Sequence, residues 1–292
     1  MKMSLLLIST LFSLSVSASM IDWYCVPGSY NVTSEGEEMA SNFRFELGIF
    51  KEGFTPSVDN MDQWAENWIP AQRALYNQEH HWFTSRYTVS GDEEGFTPGA
   101  KTWIWGFSGS LENAEWILLR NQHWVWPAVN PSSPLAKTWN MANADEVLVG
   151  GIGGAFVLQS APVDGVYPPP TTWEQWKQEN LGDDEVLSGV DANENGIPDL
   201  IEYVQGLDAN GNLNMSNLRL NVLEDTVEIS IPRREDRPAT FKVQYSTDLI
   251  TWHSAANLEQ GERSELSRLI YTYAIPAETE PIKFWRYSVE AH

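Results

Sequence analysis

The apolar residues of this chain of 292 come in short runs that alternate with polar ones and are cut off by Gly, Pro, Asn and Ser. Phe43 to Phe50, Trp82 to Val89, Lys101 to Phe107 and Glu115 to Leu119 are of this kind, each rich in aromatic or branched side chains. Alternation puts every second residue on one face of an extended chain, as a half-buried strand requires. A mainly β fold is therefore expected. One helix is expected among these runs, from Asn60 to Trp68, because Met61, Trp64, Ala65 and Trp68 recur at three- and four-residue spacing before Pro70.

Residues 1–18 read as an export signal. Lys2 is followed by an apolar core from Leu5 to Val16 and a small-residue cleavage site at Val16-Ser17-Ala18. That core is too short for a stable membrane span, and no later stretch approaches the roughly 20 apolar residues that one needs, so no membrane insertion is expected. With Cys25 as its single cysteine the chain has no intrachain disulfide, and its fold must rest on core burial and metal. A secreted or extracellular protein of bacterial type follows, with the cell surface as an alternative location.

The formal net charge of −22 argues against nucleic acid and anionic membranes, both of which demand clustered Lys and Arg. An acidic surface serves solubility and would also suit a cation such as Ca2+.

Composition divides the remainder. Residues 19–161 carry ten of the 14 tryptophans and form an aromatic-rich β domain, in which the pentapeptide Glu-Gly-Phe-Thr-Pro occurs twice, at Glu52–Pro56 and Glu94–Pro98. Residues 162–172, with Pro168-Pro169-Pro170, read as a semi-rigid linker. Residues 173–212 hold two short helices around an acidic loop. The first opens on a Thr172/Gln175 capping box, and the second runs from Pro198 to Gln205 and ends at Gly206. Residues 213–292 return to alternating runs (218–223, 227–231, 240–245, 269–273 and 283–289) and suggest an immunoglobulin- or fibronectin-like β-sandwich.

The loop between the helices carries the clearest chemistry. Asp191, Asn193 and Asn195 stand at positions 1, 3 and 5 of a twelve-residue calcium loop, and Gly196 at 6. Ile197 offers its carbonyl at 7, Asp199 stands at 9 and Glu202 at 12. This all-oxygen set suits Ca2+ and poorly suits zinc or copper. With three carboxylates among its ligands, it points to weak binding, with a Kd of about 10⁻⁴ to 10⁻³ M. Pro198 at position 8 lacks the N–H with which paired loops join, so the loop should work alone. The competing reading is an Asn/Asp-rich turn that merely leads into a helix. Asp208 to Asn212 looks like a second loop but puts glycine fourth and Arg219 at position 12, as a turn would.

From Trp173 to Asp208 the chain resembles the dockerin-like or thrombospondin-type-3-like EF-hand segments of secreted bacterial proteins. The Trp-x-x-Trp helix, the calcium loop, and Leu200-Ile201-Glu202-Tyr203 before Gly206-Leu207-Asp208 carry that likeness. In such proteins a C-terminal β module follows, with a strand leading into Ser-x-Asp-Leu-x-x-Trp, here Ser246 to Trp252. The Phe45-Glu46-Leu47-Gly48, Gly53-Phe54-Thr55-Pro56, Ile104-Trp105-Gly106-Phe107 and Glu115-Trp116-Ile117-Leu118 signatures resemble uncharacterised members. The resemblance implies export and calcium and supplies no activity. A dockerin's second loop is missing.

Other constellations carry plainer readings. Trp103 and Trp105, and likewise Trp124 and Trp126, lie two apart, so each pair shares a strand face and is either core or a platform for sugar rings. Adjacent His80 and His81 would face apart on a strand and not share a metal. Val147 to Gly154 fails as a dinucleotide fingerprint, because Phe156 replaces the last glycine and a strand follows, so it reads as a glycine-rich hairpin. No nucleophile elbow, paired metalloprotease histidines or P-loop is present. The expectation is a calcium-binding, non-enzymatic binding or structural protein whose partner is a glycan or another surface protein. The alternative is a carbohydrate-binding module or carbohydrate-active enzyme built on the Trp-rich domain, with the C-terminal module as an export or attachment tag a third reading.

Overall fold

Strands form where the sequence alternates, and the chain is mainly β. The computed structural model describes residues 19–26, 30–108, 114–129, 136–153, 157–182, 189–192, 194–206, 219–223, 225–234, 236–265, 268–274 and 284–292. The proposed signal segment, Asn193, the acidic run 183–185 and the second loop at 208–212 lie outside them. The chain divides into two units, Met1–Val166 and Tyr167–His292, the division falling within the Pro-rich stretch.

Among the described residues the first unit holds twelve strands: β1 (Ser19–Tyr24), β2 (Asn31–Val32), β3 (Arg44–Phe50), β4 (Trp68–Leu75), β5 (Thr84–Val89), β6 (Thr102–Phe107), β7 (Ala114–Arg120), β8 (Ala136–Asn140), β9 (Glu146–Val149), β10 (Gly151–Gly153), β11 (Val157–Gln159) and β12 (Ala161–Val163). Its main sheet runs β12-β7-β6-β3-β4, with β9 also on β7, and two three-stranded sheets run β5-β1-β8 and β10-β11-β2. All neighbours in the main sheet are antiparallel. The glycine-rich stretch contributes β9 to the main sheet and β10 to an antiparallel pair with β11, and Gly150 between them takes φ 79°.

Every residue of β6 is buried, because the main sheet is covered on both faces. Ile104 joins Phe45, Leu47, Ile117 and Leu119 in one core, whereas Trp103, Trp105 and Phe107 join Phe50, Trp64, Trp68 and Trp116 in the other. The two-residue period thus sorts side chains between two aromatic layers. Gly106 is needed in this arrangement, since a Cβ there would lie 2.6 Å from both the Phe45 ring and Ile117 Cγ2.

The expected helix at Asn60–Trp68 is shorter and starts earlier. A 3-10 turn, Val58–Gln63, leads into one α-turn, α1 (Trp64–Asn67), and Trp68 already belongs to β4. Tertiary contacts override the helical spacing: the Trp68 indole N–H donates to Glu46 Oε2 at 2.7 Å and its ring fills the space above Gly48. Pro70 continues the strand and does not follow a helix, a position open to it because β4 is an edge strand with an irregularity opposite Leu47/Gly48.

The tryptophan pairs are core. Trp103 is 4 % exposed, Trp105 0 %, Trp124 4 % and Trp126 2 %, the first two in one aromatic layer and the last two in the other. This corrects the sugar-platform alternative for Trp105, Trp124 and Trp126: Phe50, Trp64 and Trp116 take up Trp105, Trp139 stacks on Trp124 and Phe96 meets Trp126 at a tilt. His80 and His81 lie in the turn between Asn77 and Trp82 and not on a strand; His81 Nδ1 meets Glu38, and His80 is exposed.

Among the described residues the second unit holds α2 (Trp173–Asn180), α3 (Asp199–Gln205) and seven strands: β13 (Arg219–Val222), β14 (Thr226–Pro232), β15 (Ala239–Ser246), β16 (His253–Ser254), β17 (Glu259–Glu265), β18 (Arg268–Ala274) and β19 (Phe284–Ala291). They form two antiparallel sheets, β13-β14-β18-β17 and β16-β15-β19. Val227, Ile229, Ile231, Leu269, Tyr271 and Tyr273 of one sheet share a core with Phe241 and Val243 of the other. Trp173, Trp176, Leu200, Tyr203 and Val204 of the helices enter that same core, so the helical segment and the C-terminal strands are built around one interior.

Candidate metal centre

Two short helices hold the acidic loop. Thr172 and Gln175 make the capping box that the sequence calls for: the Gln175 N–H donates to Thr172 Oγ1 at 3.3 Å, and the Thr172 N–H to Gln175 Oε1 at 2.9 Å. Trp173 and Trp176 stack at 5.3 Å and meet Tyr203 of α3 at 5.4 and 6.3 Å. Gly206 ends α3 at φ 74°, as the left-handed closing position favours. Tyr203 is fully buried, and its hydroxyl lies 3.0 Å from the Thr171 carbonyl oxygen and 3.1 Å from that of Pro238. Sequence reasoning took Tyr203 only as part of a motif. Its anchoring role had no local signal, because both partners are backbone atoms more than thirty residues away in sequence.

The loop closes through its own side chains. Asp191 accepts the N–H of Asn195 at 3.1 Å on one carboxylate oxygen and that of Gly196 at 2.7 Å on the other. Asn195 Oδ1 accepts the Ile197 N–H at 2.9 Å, and Asn195 Nδ2 donates to Glu202 Oε1 at 2.7 Å. The Ala192 N–H reaches both oxygens of Asp199, at 3.2 and 3.3 Å. Gly196 at φ 90° and Glu194 at φ 57° supply the left-handed bends that turn the chain this tightly.

Of the expected ligands, Asp191, Asn195, Asp199 and Glu202 thus line one bend, and the Ile197 side chain is buried beside them in sequence. They are linked through backbone N–H groups and the Asn195 amide. Among the described residues no three carboxylate, histidine or cysteine side chains converge as a ready metal cluster.

Asp199 and Glu202 are both 0 % exposed. Burial pushes the Asp199 carboxyl above its ordinary value; the Ala192 N–H pulls the other way, and the charge of Asp191 adds to the rise. Among the described residues neither Asp191 nor Asp199 is paired with Lys or Arg. A buried negative charge at Asp199 that meets only the Ala192 N–H is costly, and a hard cation would relieve it. Mixed carboxylate, amide and carbonyl oxygens fit a Ca2+-sized ion and offer no soft donor. No family model, no curated protein and no solved structure matches this chain.

Proposed function

We propose that the chain is an exported, calcium-binding, non-enzymatic protein of the dockerin-like or thrombospondin-type-3-like kind. Its loop Asp191–Glu202 stiffens the helical segment that packs into the core of a C-terminal immunoglobulin- or fibronectin-like sandwich. The observation that carries the reading is the full burial of Asp199 and Glu202 in a bend closed by Asp191, with no basic side chain on Asp191 or Asp199.

Asp191, Asn195, Ile197, Asp199 and Glu202 would hold the ion, with Asn193 as the remaining ligand named by the motif. The ion supplies positive charge among buried oxygens. The chain's own residues do the rest: Glu202 and Tyr203 are neighbours on α3, so order in the loop passes to the Trp173–Trp176–Tyr203 stack and to the backbone at Thr171 and Pro238. The working end is the N-terminal aromatic β unit, with a glycan or surface protein as partner.

Calorimetric titration of the chelator-treated chain tests the reading. A single weak site, with Kd about 10⁻⁴ to 10⁻³ M and a rise in helical ellipticity, is expected. No heat and no ellipticity change at several times that concentration would sink it.

A further inference from the structure

The two copies of Glu-Gly-Phe-Thr-Pro, far apart in the chain, are brought to the walls of one cavity of about 350 Å3 in the N-terminal unit. Each copy opens on the same turn. The Phe54 N–H donates to the Lys51 carbonyl at 3.0 Å and the Phe96 N–H to the Glu93 carbonyl at 3.2 Å, with Gly53 at φ 85° and Gly95 at φ 82° in the third position. That φ is what a type II turn asks of its third residue, and glycine meets it without strain. At Gly95 space is limiting too, since a Cβ would lie 2.7 Å from Ile69 Cδ1. The turns deliver Thr55 and Thr97 to the cavity wall.

The cavity has an aromatic side and a charged rim. Phe50 meets Phe54 at 5.4 Å and Trp103 edge-on at 6.2 Å, and all three line it. Lys51 and Lys101 are exposed lining residues, and neither forms an ion pair among the described residues. Glu146 lies 3.3 Å from Arg120, whose guanidinium sits 5.4 Å from the Trp103 ring centre. Lys51 and Lys101 stand against Glu52 and Glu146 in the lining, which is neutral in a chain whose formal net charge is −22, and Arg120 beside the cavity offsets the Glu146 carboxylate.

We propose that this cavity binds a small carboxylate borne on a flat apolar face. Aromatic walls favour a flat ring, and unpaired ammonium groups at the mouth favour an anion. A volume near the lower end for ligand sites takes one or two rings. Free aromatic acids and uronic-acid sugars both present this chemistry. The site is independent of the calcium loop and stands or falls apart from it.

Saturation-transfer NMR on the full chain, with 3-phenylpropionate, its neutral amide and digalacturonate at millimolar concentration, tests the proposal and separates the two sources. At least one acid receives saturation, and the amide receives less. In a Lys51→Glu/Lys101→Glu double variant the affinity for that acid falls about tenfold or more, the loss of a charge-assisted contact. A Lys137→Glu control on β8 leaves binding intact. Which acid responds identifies the source. Silence from both acids, equal binding of the amide, or binding unchanged in the double variant would overturn the proposal.

Discussion

Glu202→Gln separates the calcium reading from a merely structural turn. Glutamine keeps the volume of a fully buried side chain and retains an oxygen for the Asn195 amide to donate to, as it does to Glu202 Oε1 at 2.7 Å. It removes a buried negative charge, so the metal-free variant should be as stable as the native chain or slightly more so. What it cannot do is offer two oxygens to a cation, the role of position 12 in such loops. With Kd about 10⁻⁴ to 10⁻³ M, 10 mM calcium corresponds to roughly 10 to 100 times Kd. By mass action this stabilises the native chain by about 1.4–2.7 kcal/mol. For a unit of this size that is a rise in Tm of about 5–15 °C. Scanning calorimetry of the Tyr167–His292 transition, in chelator and in 10 mM calcium, reads it directly, with magnesium as the control. The native chain should shift, and the variant should not while keeping its chelator Tm. An unmoved native transition, or an equal shift in the variant, would refute the assignment of Glu202 as a ligand.

Tyr203→Phe leaves the buried carbonyl of Thr171 and the half-buried one of Pro238 without the hydroxyl between them. A loss of about 1–3 kcal/mol in urea unfolding is expected. Arg73→Met strands the carboxylate of Glu46, which is 0 % exposed and takes the Arg73 guanidinium at 2.7 Å, and should cost about 3–5 kcal/mol in the same assay. Burial pushes the Cys25 thiol up to about 11 from 9.0, so the fold favours its neutral form. That contribution is complete below pH 9 and is lost as pH rises towards 11, and at pH 8 a thiol reagent should label the unfolded chain but not the native one.

Strands were legible where alternation was clean. The runs at 43–50, 101–107, 115–119, 227–231 and 269–273 match β3, β6, β7, β14 and β18 within about a residue at each end. Alternation failed as a guide only to which face is wet, because β6 has no wet face: both sets of its side chains are buried, and Trp103 and Trp105 read from sequence as either core or platform. The Asn60–Trp68 helix misled because its spacing is shared with a turn that hands Trp68 to a strand, and Glu46, Gly48 and Phe50 on β3, distant in sequence, decide that. The bend was legible from Gly196, whose φ of 90° suits glycine. The hydrogen bond between Asn195 and Glu202 was not, because it depends on how α3 leaves the bend. The duplicated pentapeptide was visible in the sequence, and its meeting around one cavity required the pairing of β3 with β6 and β4.

The strand β6 is the shared floor of two aromatic rooms, and neither can be emptied while the other stays furnished. Loosening Phe45 and Ile104 on one side withdraws support from Trp103 and Trp105 on the other, through a single backbone. Local opening there has no inexpensive partial form, and the N-terminal unit should come apart as one event rather than layer by layer.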